Sequence, residues 1–274
     1  MCPMPETATE PQEDVIALDA SVKEMIEAGV FYGRTRTKTH PRMRPYVLAN
    51  RNGVEVINVQ KTSAFLDAAM AFLTECAAKN KAVMILGTQP AAHESVRVIA
   101  TEFGYPVVTR RWLGGTLTNY KVIARRVEYW KKLKTDLAAG AFKGYTKKEQ
   151  LDLEKEAAKL DETLTGLEAM VARPEVLLVI DPTLHRTAVL EALRVGVPII
   201  AFMNTDGDPE SLEYPVIGNT KARTSIIWFT GRAMEALREG KREAVKLAEE
   251  NKKAAEAKQA AETSFDAAQG KKKE

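Results

Sequence analysis

The chain has 274 residues, of which 45% are hydrophobic and 28% are charged, and its formal net charge is +3. This length and composition exclude a disordered chain and fit one large or two ordinary globular domains. No apolar run approaches the roughly 18 residues of a membrane-spanning helix, and the acidic, polar N-terminus is unlike a signal peptide, so we expect no membrane partner.

The first part of the chain predicts a flexible lead followed by a short helix. Residues 1–18 are rich in Pro, Thr and Glu, a composition that favours disorder. Ser21 and Glu24 then form a capping-box pattern, in which each side chain accepts from the backbone of the other. This pattern predicts a helix that begins near Ser21 and ends at Gly29.

A block of cations without acids follows this helix. Residues 34–44 contain five cations and no acid. A solvated surface loop is the simpler interpretation, but an acid-free block of this length favours a polyanionic partner. The cations are Arg34, Arg36, Lys38, Arg42 and Arg44.

Downstream, apolar runs typical of strands alternate with amphipathic stretches typical of helices. The strand-like runs are residues 54–59, 82–87, 106–109, 175–181 and 197–203, and the helix-like stretches are 63–79, 90–103 and 185–195. Continuous apolar strands between helices indicate a parallel sheet covered on both faces. We therefore predict an α/β fold with a doubly wound, Rossmann-like or flavodoxin-like parallel sheet, formed by residues 19–118 and 173–239.

Residues 119–172 interrupt this alternation and contain no strand pattern. Two long helical stretches flank a turn near residues 140–144, and Thr146 with Glu149 forms a second capping-box pattern. The apolar side of the second helix is expected at Leu151, Leu160, Leu164 and Leu167, with Leu153 on its flank. A helix of about nineteen residues spans roughly 30 Å, so the segment predicts an inserted hairpin that stands clear of the sheet.

After residue 240, Ala, Lys and Glu dominate the sequence and large apolar residues become rare. This composition favours a helix but does not require the helix to be packed. We therefore predict a charged, flexible tail over residues 240–274.

Patterns for catalysis or cofactor binding are weak. The turn after residues 82–87 has a single glycine, Gly87, and neither of the glycine-rich patterns that bind nucleotide phosphates. The three histidines lie on different predicted elements, and Cys2 and Cys76 are the only cysteines. This set predicts no metal cluster and no disulfide framework, which suits a reducing cytoplasm.

One alternative function is a cytosolic nucleotide-dependent α/β enzyme. Its site would lie at the C-terminal strand ends near Gly87 and Asp181, where open α/β sheets bind ligands. His185 follows Asp181 closely, but a helix N-terminus capped by Asp181 or Thr183 explains these residues as well. We expect no enzyme, no cofactor and no small-molecule substrate.

The segment TRRWLGGTLTNYK, residues 109–121, combines cations, an indole and two glycines in one short run. Arg110 and Arg111 suit phosphate contacts, while Trp112 either stacks on an unpaired base or anchors the segment in the core. Thr118 or Asn119 would cap the following helix. The expected structural anchors are Trp112, Gly114, Gly115 and Asn119.

Several segments resemble, in the same order, the bacterial ribosomal small-subunit protein two family. They are EAGVFYGRTRTKTHPRMRPYV, RNGVEVINVQKT, RRWLGGTLTN, LLVIDPTLHRTAVLEALRVGVPIIAFMNTDGDPE and YPVIGN. The resemblance implies a parallel α/β sheet with a projecting α-helical coiled-coil hairpin. It also implies a non-enzymatic component of the cytoplasmic small ribosomal subunit, which binds small-subunit rRNA and neighbouring ribosomal proteins, including ribosomal protein one.

The chain departs from the family pattern at several positions. Phe31 and Arg34 stand where histidines are usual, Gln89 and Pro90 replace a lysine-rich turn, and the residues near Gly207 and at Thr220 to Lys221 also differ. The resemblance and the distribution of charge together predict an rRNA-binding surface made of cations from three segments. These cations are Arg34, Arg36, Lys38, Arg42, Arg44, Arg110, Arg111, Lys121, Arg125, Arg126, Lys131 and Lys132.

Overall fold

A computed structural model describes residues 20–142, 144–170 and 172–270, with side chains described as far as residue 247. The predicted lead, residues 1–18, lies outside the described residues. The helices are α1 (Ala20–Glu27), α2 (Val59–Ala78), α3 (Pro90–Phe103), α4 (Tyr120–Ala138), α5 (Lys147–Leu164), α6 (Arg186–Val195) and α7 (Arg223–Gly270). The strands are β1 (Tyr32–Thr35), β2 (Val47–Arg51), β3 (Val54–Ile57), β4 (Val83–Leu86), β5 (Val107–Val108), β6 (Val176–Ile180), β7 (Ile199–Met203) and β8 (Tyr214–Ile217).

The central sheet has five parallel strands in the order β5-β4-β6-β7-β8. This arrangement confirms the predicted α/β fold, and four of its strands fall within the predicted runs. The fifth, β8, was not predicted from the sequence, because it is only four residues long and contains Pro215. A proline is accepted in a strand at the edge of a sheet, which is the position β8 takes.

Helices cover both faces of this sheet, as a doubly wound fold requires. Because side chains alternate along a strand, Val83 and Ile85 face a core formed with α2, α3 and α7. Met84 and Leu86 face the opposite core, which α4, α5 and α6 complete. Leu86 on one face and Ile85 on the other are both fully buried.

A separate antiparallel sheet, in the order β1-β3-β2, precedes the central one. The predicted strand at residues 54–59 belongs to this small sheet and not to the parallel one. The basic block is likewise not a single loop, because Arg34 and Thr35 end β1 and two 3-10 helices, Arg36–Lys38 and Pro41–Tyr46, follow. Strand β1 was not predicted because its polar residues show no apolar alternation.

The first predicted capping box is wrong. Ala20 is already helical, so Ser21 lies inside helix α1 and not at its N-cap. The second capping box is confirmed, since Thr146 accepts from the Glu149 amide while the Glu149 carboxylate accepts from the Thr146 amide.

The inserted segment forms two helices, α4 and α5, which pack on one another. Ile123 on α4 and Leu164 on α5 belong to the same core as the central sheet, so the base of the hairpin is part of that core. The position of Gly166 shows how close this contact is, because a Cβ there would lie 1.9 Å from the Val107 carbonyl oxygen. The projection and the supercoil of the hairpin stay predictions.

One residue on the apolar side of α5 was predicted wrongly. Leu151 is 49% exposed, whereas Leu153, which was predicted on the flank, is half-buried against the core. Leu160, Leu164 and Leu167 are buried, as expected.

Helix α7 continues without a break through the predicted boundary at residue 240. Gly240 is buried against α2, while Arg242 and Glu243 in the next turn are exposed. The change in composition therefore does not mark an end of α7, because the helix itself extends to Gly270. Flexibility of the tail stays a prediction.

Candidate nucleic-acid interface

The segment from Arg110 to Asn119 leaves the carboxyl end of β5 and is organised by one carboxylate, Glu191 of α6. Glu191 is only 8% exposed. Its Oε1 accepts from the Trp112 indole nitrogen at 3.0 Å and from the Gly115 amide at 2.8 Å. Its Oε2 accepts from the Leu117 amide at 3.1 Å and from both the amide and the hydroxyl of Thr118.

Opposing effects act on the pKa of Glu191. Burial raises the pKa, but hydrogen bonds from Trp112, Gly115, Leu117 and Thr118 favour the charged form, and together they hold the pKa below its ordinary value. The side chain is therefore a carboxylate at neutral pH. Its negative charge fixes the path of a segment that carries two arginines.

Glu191 was not predicted from the sequence, although a local signal for it exists. It lies beside Ala192 and three residues after Ala188, on the stripe of α6 that faces the core. A charged residue on a buried stripe is uncommon unless a partner satisfies it. That pattern marks Glu191 as a residue with a partner but does not say which one.

The four expected anchors have different surroundings. Trp112 is half-buried at the edge of the core, whereas Thr116 and Leu117 of the same segment are fully buried. Gly115 has a φ of +89°, which favours glycine, whereas a Cβ at Gly114 would meet no atom within 4 Å. Asn119 occupies the N-cap of α4, but its side chain makes no capping hydrogen bond.

Two of the five cations in the basic block are paired with acids that are distant in sequence. Arg34 Nε lies 3.0 Å from Asp206 Oδ2, and Arg42 Nη1 lies 2.6 Å from Asp208 Oδ2. Arg42 also contacts Glu210 at 3.2 Å. The positive potential inferred from an acid-free sequence is thus partly offset by the acidic turn after β7.

The remaining cations of the block are exposed. Arg36, Lys38 and Arg44 have no ion pair among the residues that the structure describes. The backbone of the block is fixed by the end of β7, because the Thr205 hydroxyl accepts from the Arg34 amide at 2.8 Å and the Thr205 carbonyl accepts from the His40 amide. Arg36, Lys38 and Arg44 are therefore unpaired cations on a backbone that Thr205 holds in place.

The cations near the hairpin also divide into paired and free groups. Arg110 Nη1 lies 2.5 Å from Glu162 Oε1, and the Lys131 ammonium donates to the Glu168 carbonyl at 2.9 Å. Of the other cations predicted to bind rRNA in this part of the chain, five are exposed and form no ion pair within the described ranges. They are Arg111, Lys121, Arg125, Arg126 and Lys132.

The fold brings these segments to one edge of the central sheet. The segment at residues 110–119 follows the carboxyl end of β5, and the basic block contacts the carboxyl end of β7. β5 and β7 are three strand spacings apart in the order β5-β4-β6-β7, which corresponds to roughly 14 Å. Cations that are far apart in sequence therefore lie along one edge.

Comparison with known proteins decides the family. The family model for Ribosomal protein S2 matches residues 25–240. The chain is also 37% identical to the Small ribosomal subunit protein uS2 of Geotalea uraniireducens over 220 residues. This match covers 80% of this chain and 86% of that protein. The chain belongs to the ribosomal protein S2 family. It is therefore a structural, non-enzymatic protein of the small ribosomal subunit, which confirms the resemblance and overturns the alternative of an enzyme.

In this S2-family chain, Asp181 at the strand ends where the alternative placed a nucleotide is bonded to other side chains of the protein. Asp181 is fully buried, and its Oδ2 accepts from the Gln89 amide at 2.8 Å and from the Thr220 hydroxyl at 3.1 Å. Lys221 Nζ lies 3.4 Å from the same oxygen. A Cβ at Gly87 would lie 3.1 Å from Val96, so this glycine permits close packing on α3.

The predicted cap of α6 by Asp181 or Thr183 is wrong, because neither residue is at the N-cap position. His185 is itself the N-cap residue and makes no side-chain capping bond there, and burial lowers the pKa of its imidazole against the opposing effect of Asp181. Over the residues that the structure describes, no group of His, Cys, Asp and Glu could hold a metal ion. In the same part of the chain, every helix is too short or too polar to cross a membrane.

Proposed function

We propose that this protein binds small-subunit rRNA through free cations at the carboxyl edge of its sheet and along α4. Binding there supports assembly of the cytoplasmic small subunit and, through it, translation. The observation that carries the proposal is a set of eight exposed cations without ion pairs in the described ranges. They are Arg36, Lys38, Arg44, Arg111, Lys121, Arg125, Arg126 and Lys132.

The paired cations have a different role in this proposal. Arg34, Arg42 and Arg110 each contact a carboxylate, and these pairs position the segments from which the free cations extend. A cation that is already paired gains less from a phosphate, because the contact must replace an existing one. The free cations therefore contribute most of the affinity for phosphates.

Within the ribosome, the protein would also contact neighbouring small-subunit proteins, with ribosomal protein one among them. The support for this partner is the family resemblance. Trp112 is half-buried and its indole nitrogen is bonded to Glu191, so it serves the interface by holding its segment and not by stacking on a base.

The test compares two triple variants with a charge-matched control. One variant replaces Arg36, Lys38 and Arg44 with Gln, and the other replaces Lys121, Arg125 and Lys132 with Gln. Filter binding to a transcribed fragment of small-subunit rRNA is measured from about 50 to 300 mM salt, a range over which phosphate contacts weaken strongly. Each variant is expected to bind more weakly, and its salt slope should fall by about 0.7–0.9 for every phosphate that the substituted side chains no longer neutralise.

The control replaces three exposed cations outside the proposed interface, Lys23, Arg194 and Arg242, with Gln. It changes the net charge by the same amount and should leave the slope close to that of the wild type. If the wild type, both triple variants and the control had equal salt slopes, neither segment would be part of the rRNA interface. A decrease in binding as large in the control would show that only total charge matters.

A further inference from the structure

A long groove lies on the face of the molecule formed by α2 and α7, away from the basic edge of the sheet. Its volume is about 670 Å³. Its lining along α2 begins at Leu66 and ends at Lys79, the C-cap residue, thirteen residues further on, which corresponds to roughly 20 Å. The groove is therefore long enough for about three and a half turns of a second helix.

Small and apolar side chains form part of the lining of this groove. Ala71 is exposed there, Ala78 is half-buried, and Leu247 at one end is 52% exposed. The two helices approach so closely that a Cβ at Gly240 would lie 2.3 Å from the Thr74 carbonyl oxygen. This close crossing gives the groove a fixed, rigid base.

The rims of the groove are acidic. Its lining contains five carboxylates and two cations, and both cations are already paired, Lys79 with Glu75 and Arg232 with Glu24 and Glu235. The carboxylates of Asp67, Glu239 and Glu243 have no ion pair among the described residues. Among the described residues, the lining of the groove therefore has an excess of negative charge without ion pairs.

The spacing of the acids predicts the spacing of the cations on the expected partner. Glu235, Glu239 and Glu243 follow one another at intervals of four on α7, so they form one row with about 5–6 Å between neighbours. Like charges in such a row repel one another, and a row of cations at the same interval relieves that repulsion. Lysines or arginines at every fourth position of a helix have this interval.

From the apolar part of the lining, the length and the rows of carboxylates, we propose that the α2–α7 groove binds a basic amphipathic helix of a neighbouring protein. The apolar side of that helix would rest on Ala71, Ala78 and Leu247, and its cations would contact Asp67, Glu239 and Glu243. An acidic groove repels phosphates, so this face meets protein while the basic edge meets rRNA. The proposal extends the proposed function but does not depend on which cations bind rRNA.

The test uses the full chain and a fluorescent synthetic peptide of about sixteen residues, a length that matches the groove. The peptide has Lys at every fourth position, Leu on the adjacent face, and Ala and Gln elsewhere. Binding is followed by fluorescence anisotropy at low and high salt, about 50 and 300 mM. The groove variant is Asp67→Lys with Glu239→Lys and Glu243→Lys, and the control is Asp152→Lys with Glu154→Lys and Glu213→Lys, which makes the same change in net charge at exposed sites.

We expect the groove variant to bind the peptide at least about ten-fold more weakly than the wild type, and the control to remain within about two-fold. Ala71→Trp, which fills the groove without a change in charge, should also weaken binding and should keep the melting temperature of the wild type. The same peptide with Glu in place of Lys should not bind.

Three results would overturn the proposal. The first is equal binding by the wild type and the groove variant. The second is an equal decrease in the control variant, which would make the effect one of net charge alone. The third is self-association of the wild type that the groove substitutions abolish, which would make a second copy of the chain the occupant.

Discussion

Single carboxylates decide which cations of this protein are free to bind a polyanion. Asp206 and Asp208 neutralise Arg34 and Arg42, while Glu191 holds the segment that carries Arg111. The more exposed pair, Arg42 with Asp208, contributes little to stability, since such surface pairs are worth about 0–1 kcal/mol. Glu191 differs, because it is buried and satisfies several donors at once.

We expect Glu191→Gln to destabilise the protein by about 2–4 kcal/mol. The amide of Gln has one acceptor oxygen, so several of the donors now bonded to Glu191 would be left without an acceptor. Urea unfolding monitored by circular dichroism measures the change. Glu162→Gln, which removes an exposed carboxylate paired with Arg110, is the control and should cost less than about 1 kcal/mol.

The contribution of Glu191 to the free energy of unfolding should also depend on pH. Because the folded pKa is held below the ordinary value of about 4.3, the stabilisation is fully present above that pH. It is lost as the pH falls through the folded pKa. The difference in unfolding free energy between the wild type and Glu191→Gln should therefore be constant near neutral pH and shrink below about pH 4. A difference that is unchanged down to about pH 2.5 would show that the carboxylate charge is not the cause.

At the scale of elements, the contact between α2 and α7 depends on one glycine in the middle of a helix. Glycine in a helix costs about 0.5–1 kcal/mol relative to alanine, so its presence needs a reason. At Gly240 the reason is steric, because a Cβ would lie 2.3 Å from the Thr74 carbonyl and 2.6 Å from Ala77. At Gly231, on the same helix, a Cβ would meet no atom within 4 Å.

The same substitution at these two glycines should therefore have opposite effects. Gly240→Ala forces α7 away from α2 and should destabilise the protein by about 1–3 kcal/mol. Gly231→Ala gains helix propensity without a clash and should stabilise it by about 0.5–1 kcal/mol. Thermal unfolding of both variants measures the two changes. A stabilised Gly240→Ala variant would show that the two helices do not pack as closely as described.

At the scale of the whole molecule, the hairpin and the sheet are parts of one core. Ile123 and Leu164 belong to the same cluster as Leu86 and Val108 of the sheet. Without the hairpin, that face of the sheet would expose buried aliphatic side chains to water. The length of the hairpin helices suggests a unit that folds independently. The packing at the base of the hairpin shows instead that it shares a core with the sheet.

Replacing residues 121–170 with a Gly/Ser linker should therefore abolish cooperative thermal unfolding. Replacing only residues 139–150, the turn and the first turn of α5, should keep a single transition and cost about 1 kcal/mol, mainly because the cap at Thr146 is removed. Differential scanning calorimetry compares both with the wild type. Cooperative unfolding of the chain that lacks the whole hairpin would show that the sheet folds without it.

Local features of this fold are predictable from sequence because they rest on neighbouring residues. The alternation of β4, α3, β6, α6 and β7 follows from apolar periodicity, and Gly104 and Gly196 end their helices with left-handed backbone. The capping box at Thr146 is likewise complete within four residues. The family also followed from short segments in order, such as RRWLGGTLTN, because each is continuous in the chain.

The tertiary structure alone decided which charges are paired and which segments share a core. Arg34 and Asp206 are 172 residues apart, and Trp112 and Glu191 are 79 apart, so no local pattern connects them. Strand β1 was not predicted because it is short and polar. The hairpin was predicted to be independent because its contacts with the sheet involve residues that are distant in sequence. Hydrophobic periodicity is a property of one element, whereas ion pairs and close packing depend on which elements the chain brings together.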